Sequence, residues 1–123
     1  MLDSGALVAI ERGDRDLGAL IMREARAARL PRTHGGVVGQ VWRGGRDRQM
    51  LLAQALRAIE VVALDDDLGR RVGLALARSR TSDVVDAAVV LLAGPGDEIY
   101  TSDVADLARI AEAIDHDVEL ISI

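Results

Sequence analysis

Apolar residues along this chain come in short bursts, and their spacing switches repeatedly between the period of a strand and that of a helix. Met1 and Leu2 predict a very short strand, stopped by Asp3. Ala6, Leu7, Val8 and Ile10 then predict a helix between Ser4 and Glu11, closed by Gly13 and Asp14. Over residues 17–30, Leu17, Leu20, Ile21 and Ala25 share one helical face, Arg23, Arg26 and Arg29 lie elsewhere, and Pro31 ends the segment. Residues 30–34 predict a short strand. Val37, Val38, Val41 and Trp42 predict a turn or two of helix halted by Gly44 and Gly45. Asp47 is placed to cap a further helix through Leu51, Leu52, Ala55 and Leu56, up to Ile59.

At Val61 the period changes again, and residues 61–64 predict a buried strand. The acidic run Asp65, Asp66 and Asp67 suits a helix start, where the backbone dipole favours negative charge, and Leu68, Val72, Leu74, Ala75 and Leu76 give that helix its apolar face. Residues 82–93 are apolar nearly all round, which predicts a helix at the centre of the fold. After Gly94, Pro95 and Gly96, residues 98–101 predict a strand. Ser102 or Asp103 caps a helix carrying Leu107, Ile110 and Ile114, and residues 118–123 close the chain as a strand. Strands alternating with helices predict an α/β domain with a mainly parallel sheet covered on both faces, and clefts of such sheets open beyond the strand carboxyl ends.

A length of 123 residues fits one domain, residues 1–123, and no linker, repeat or low-complexity tract divides it. Half of the residues are hydrophobic but only 2% aromatic, so the core has to be built from Ala, Val, Leu and Ile. Trp42 is expected to anchor that core. The absence of cysteine excludes disulfides, thiolate catalysis and thiolate zinc sites, and fits a reducing cytoplasm. No segment is apolar enough to span a bilayer, and the first residues lack a basic leader pattern. A net charge of −5 argues against a protein that simply coats nucleic acid, while leaving room for an enzyme whose acidic site holds a cation.

Candidate chemistry comes from the positions of the aspartates. Asp3 follows the first strand, Asp103 follows the strand ending near Thr101, and Asp83 opens the most apolar helix, so all three are expected at one edge of the sheet. Each also suits a helix N-cap. Carboxylates gathered at one edge repel, and a hard divalent cation with oxygen ligands, Mg²⁺ or Mn²⁺, relieves the repulsion. Asp86 lies three residues after Asp83 and projects to the same side of an apolar helix, which calls for a cation opposite. Asp106 has the same relation to Asp103 on a more polar helix and is expected in solvent. His34 and His116 lack a local ligand spacing and are expected at the surface. Ser4, Ser82 and Ser102 have no evident histidine base, and the glycines form no nucleotide-binding loop.

The segments LDSGALVAIE, TSDVVDAAVVLLA and IYTSDVADLARI, in this order and spacing, resemble the PIN-domain family, specifically the VapC-type toxins of bacterial toxin–antitoxin pairs, over essentially the whole chain. The resemblance implies a PIN-like three-layer α/β/α sandwich and a metal-dependent endoribonuclease. By the same resemblance Asp3, Asp83 and Asp103 match the metal-binding acids, and Thr101 or Ser102 steadies the site. One departure stands out. In GGVVGQVWRGG, Gln40 stands where the family usually has Glu, followed by the basic Arg43; Gln40 offers a neutral carbonyl oxygen but no charge. Asp86 is expected to return a carboxylate to the cleft. Arg43 and Arg80 are the candidates for phosphate contacts, and the resemblance implies an RNA substrate, a homodimer and a cognate antitoxin protein.

Overall fold

The computed structural model describes all 123 residues, an α/β chain of seven α-helices and four short strands. In order they are α1 (Ser4–Glu11), α2 (Arg15–Arg26), β1 (Arg32–His34), α3 (Gly35–Val41), α4 (Met50–Leu56), β2 (Glu60–Val62), α5 (Asp66–Ser79), α6 (Val84–Leu92), β3 (Glu98–Thr101), α7 (Val104–Ala113) and β4 (Glu119–Ser122). A single 3-10 turn, Asp47–Gln49, precedes α4. No helix is long and apolar enough to cross a membrane.

The strands form two parallel pairs, β1 with β2 and β3 with β4. The N-terminal residues run between them. Leu2 bridges Tyr100 in parallel, Tyr100 N–H donates to the Met1 carbonyl at 2.9 Å, and Asp3 N–H donates to the Tyr100 carbonyl at 3.1 Å. On the other side Leu2 N–H donates to the Arg32 carbonyl at 2.8 Å, and the buried Thr33 hydroxyl donates to the Leu2 carbonyl at 2.8 Å. In place of the one central sheet that the alternation predicts there are two two-stranded ribbons, with residues 1–3 hydrogen-bonded to both. Strands of three or four residues offer few ladder bonds, so side-chain bonds such as that of Thr33 complete the seam.

The helices fall into two packed groups. α1 packs against α2, α3 and α4, while α5, α6 and α7 pack on one another. The centre of the second group is α6, where Ala87, Ala88, Val89 and Val90 are all fully buried on successive faces. Small side chains there let neighbouring helices approach closely, and the core they complete contains Leu, Ile, Val and Ala but no aromatic ring.

Several local expectations differ from the structure. Trp42 is 39% exposed and lies outside the core, because α3 ends at Val41 and its last residues turn into a loop; Val37 and Val41 take the core positions instead. Asp47 caps nothing. It is the first residue of the 3-10 turn, at φ 51°, and the preceding Arg46 makes no side-chain cap. The strand expected to be buried at residues 61–64 is Glu60–Val62, with Val61 46% exposed, since it forms the outer member of its pair. The helix over residues 17–30 ends earlier, at Arg26, where Ala28 takes a left-handed conformation.

Candidate functional site

Three helices begin at the edge where the parallel strands end, and each begins with an aspartate. Asp3 caps α1, accepting from the Ser4 N–H. Asp83 caps α6, accepting from the N–H groups of Val85 at 2.8 Å and Asp86 at 3.0 Å. Asp103 caps α7, accepting from the Asp106 N–H at 3.3 Å. Capping satisfies backbone donors that would otherwise be orphaned, and it also holds each carboxylate at the same edge. The capping role and the shared placement are therefore compatible.

Thr101, at the end of β3, ties two of these caps together. Its buried hydroxyl donates to Asp3 Oδ2 at 2.7 Å and accepts from the Asp103 N–H at 2.9 Å. Asp3 is itself buried, so this bond is made away from competing water. Ser102 is exposed and makes no such bonds; it lies against Gly5, where an added Cβ would come within 2.9 Å of the Ser102 backbone nitrogen. Glycine at that position lets the start of α1 approach the start of α7. Of the two hydroxyls the family resemblance offered, Thr101 is the one that fastens the site.

Asp86 stands one turn into α6, partly buried, and its carboxyl is pushed up to about 7. Burial is the largest cause, followed by the negative charges of Asp83, Asp3, Asp103 and Asp106 in that order. Five carboxylates therefore share one electrostatic neighbourhood. Asp106 is exposed, as its polar helix predicts, yet its charge reaches Asp86 as the weakest of the four; its spacing from Asp103 was the available sign. A partly buried acid among four others is eased by a proton or by a cation. No three acidic or histidine side chains form a ready cation cage, and Asp3, Asp83 and Asp103 each give one oxygen to a cap donor. The donor set, carboxylates with one hydroxyl, fits a hard ion such as Mg²⁺ or Mn²⁺ better than a soft one.

His34, expected at the surface, is fully buried at the end of β1. Its Nδ1 accepts from the Gly36 N–H at 3.1 Å and its Nε2 lies 3.0 Å from the Val85 carbonyl. Only the neutral ring with the proton on Nε2 satisfies both partners. Burial, the largest influence, holds its pKa below the usual histidine value, against the raising effects of the Val85 carbonyl and of Asp3. His34 thus caps α3 and ties it to α6; it carries no free nitrogen for chemistry. His116 likewise contacts a backbone carbonyl, that of Ala93 at 2.6 Å.

The remaining candidates lie at the margin of this cluster. Gln40 is exposed in the last turn of α3, and its side chain takes no part in the hydrogen bonds that hold the acids. Arg43 folds its guanidinium back onto the end of α3, donating to the carbonyls of Gly39 at 3.3 Å, Gln40 at 3.2 Å and Trp42 at 2.6 Å. Arg80 is exposed at the C-cap of α5, in a left-handed conformation with φ 56°, three residues before Asp83. No arginine is among the charges that act on Asp86.

The chain matches no family model, no curated protein and no solved structure.

Proposed function

We propose that this chain is a Mg²⁺- or Mn²⁺-dependent endoribonuclease of PIN-like build, the toxin of a toxin–antitoxin pair acting in the cytoplasm. The observation that supports it most is the gathering of the Asp3, Asp83 and Asp103 caps around Asp86, with Thr101 bonded to two of the three segments. The short parallel strands and the two groups of helices support an α/β build, and the three-layer sandwich belongs to the proposal.

Asp3, Asp83, Asp86 and Asp103 would hold the cation, which when bound supplies positive charge at the scissile phosphate and acidifies a water for hydrolysis. The chain's own residues set the conditions. Thr101 fixes the Asp3 carboxyl in place by donating its hydroxyl to Oδ2. Asp86, whose carboxyl burial and neighbouring negative charge push up to about 7, would add a fourth carboxylate to that set. Gln40, if it turns toward the site, adds a neutral oxygen and no base. Arg80, exposed three residues before Asp83, would meet a phosphate of the bound strand.

A second reading is a PIN-like module that cuts poorly and works through protein binding, favoured by the neutral Gln40. Both readings include a homodimer and a cognate antitoxin; since Val37 and Val41 are core residues, the exposed apolar Trp42, Met50 and Leu51 are the better candidates for a protein-binding face. Incubation of the purified chain with labelled single-stranded RNA decides between them. The nuclease cuts in Mn²⁺ and stops in EDTA; RNA left intact at saturating Mn²⁺ would sink the enzyme and leave the binding module.

A further inference from the structure

Beyond α3 the chain makes a loop, residues 43–49, whose surface forms a shallow basin of about 690 Å³ lined by Arg43, Gly44, Arg46, Asp47, Arg48 and Gln49, without an apolar side chain. The loop is built from within. Buried Gln49 accepts from the N–H groups of Arg43 at 2.7 Å and Gly45 at 3.2 Å, and its side-chain amide donates to the Val41 carbonyl at 2.9 Å. Gly44, Gly45 and Asp47 accept φ values of 112°, 68° and 51° to follow this path, and Gly45 lies so close to the Trp42 ring that a Cβ would overlap it. A buried side chain, three left-handed residues and an aromatic lid are a large investment in the shape of a short polar loop.

What that shape presents is positive charge. Arg46 and Arg48 are exposed and make no ion pair, even with the intervening Asp47; like most arginines of the chain, of which only those at positions 23, 29, 32 and 70 are paired with acids, they keep their charge available. Arg43 is fixed by three carbonyls at the end of α3. In a chain of net charge −5, three arginines against one acid within seven residues is a local reversal of sign.

We propose that loop 43–49 binds the phosphodiester backbone of single-stranded RNA, with Arg46 and Arg48 making the phosphate contacts and Gln49 positioning them. α3 sets the distance to the acidic cluster. It starts at His34, which bonds the Val85 carbonyl of α6 and feels the charge of Asp3, and it ends at the loop. Seven residues at the helical rise span about 10 Å, which is about three stacked nucleotides of one strand. A strand lying along α3 therefore offers one phosphate to the acids and a later one to the arginines. The same separation is about one Debye length at 0.1 M salt, so salt weakens the acids' repulsion at the loop. Guanidinium forks suit phosphate oxygens and carry no base preference.

The inference rests on the nuclease reading for its ligand, and binding measured without cutting separates the two. The full chain is titrated against a fluorescent single-stranded RNA in EDTA, by anisotropy, between about 50 and 200 mM salt. Arg46→Ala with Arg48→Ala is expected to weaken binding roughly tenfold and to lower the salt slope by about 1.4, since each single-strand phosphate contact contributes about 0.7. Arg70→Ala with Arg71→Ala, which removes equal charge from α5, is expected to stay within about twofold of the unmodified chain. Unchanged affinity and slope in the loop variant, an equal loss in the α5 variant, or no RNA binding by the unmodified chain would overturn the proposal. A polyglutamate peptide that competes as well as RNA of equal charge would overturn it too, in favour of an acidic protein segment. Loss of binding in the loop variant with no cleavage by any form retains the loop and removes the nuclease.

Discussion

Asp65 and Asp83 have the same local task and opposite surroundings. Asp65 caps α5 and accepts from the Leu68 N–H at 2.9 Å, as Asp14 caps α2 and accepts from the Leu17 N–H at 3.0 Å. Asp83 caps α6 by bonds of the same kind. Yet neither Asp14 nor Asp65 is among the charges that raise Asp86, whereas Asp3, Asp83 and Asp103 all are. Five aspartate caps thus divide into two that lie apart from Asp86 and three that meet around it. A cap is a local device worth about 1 kcal/mol wherever it occurs; what distinguishes the three is that their helices start at one edge of the strands.

That division is broken most directly at Asp3. Asparagine is as good an N-cap as aspartate, but its single side-chain oxygen cannot accept from both the Ser4 N–H and the Thr101 hydroxyl, so Asp3→Asn is expected to fold with a lowered melting temperature while lowering Mn²⁺-dependent RNA cleavage by about 100-fold or more, read on folded protein. Asp65→Asn, the same change at a cap outside the cluster, is expected to leave cleavage within about twofold. Equal losses in both variants, read on a labelled RNA, would erase the distinction. A smaller effect separates the two acids one turn into their helices. Asp86→Asn is expected to weaken Mn²⁺ binding about tenfold by calorimetry, and Asp106→Asn to leave it nearly unchanged, because Asp86 is partly buried among the caps and Asp106 is exposed.

Thr101 sharpens the comparison structurally. Valine keeps its shape but leaves Asp3 Oδ2 and the Asp103 N–H without their partner, a loss of about 1–3 kcal/mol. Thr101→Val is therefore expected to lower the melting temperature by about 5–10 °C; an unchanged melt would show that the two caps do not depend on the hydroxyl.

The smallest effect is a pH dependence. In EDTA the folded chain holds a proton on Asp86 up to about pH 7, whereas the unfolded chain releases it near 3.8. Between those values the folded state binds more protons, so this group's contribution to stability declines as pH rises and levels off above about 7. His34, whose pKa is lowered by burial, acts in the opposite sense below its ordinary 6.5. The readout is consequently the difference between the unmodified chain and Asp86→Asn, which is expected to lose the decline between about pH 5 and 7. Parallel melting curves would mean that Asp86 is not held among like charges.

Much of the architecture was legible from periodicity. The bursts at residues 4–11 and 82–93 became α1 and α6, and the apolar α6 is central because a helix without a polar face can only be buried. Residues with two plausible places were read less well. Trp42 was expected inside and lies against the loop, while His34 was expected outside and lies inside, satisfied by the Gly36 N–H and the Val85 carbonyl. Neither partner is visible from the residue itself. Gln49, which shapes the arginine loop, gave no signal at all, since a buried glutamine looks like a surface one until its three backbone partners are known.

The amino-acid order alone determined the alternation of strands and helices and the aspartates at helix starts, because hydrophobic period and capping act over a few residues, and the composition determined a core built mainly of Ala, Val, Leu and Ile. Only the tertiary structure decided which caps meet, that Thr101 joins two of them, and that Asp86 is pushed up among them. Burial and the summed field of charges distant in sequence are properties of the folded chain, and no single segment contains them.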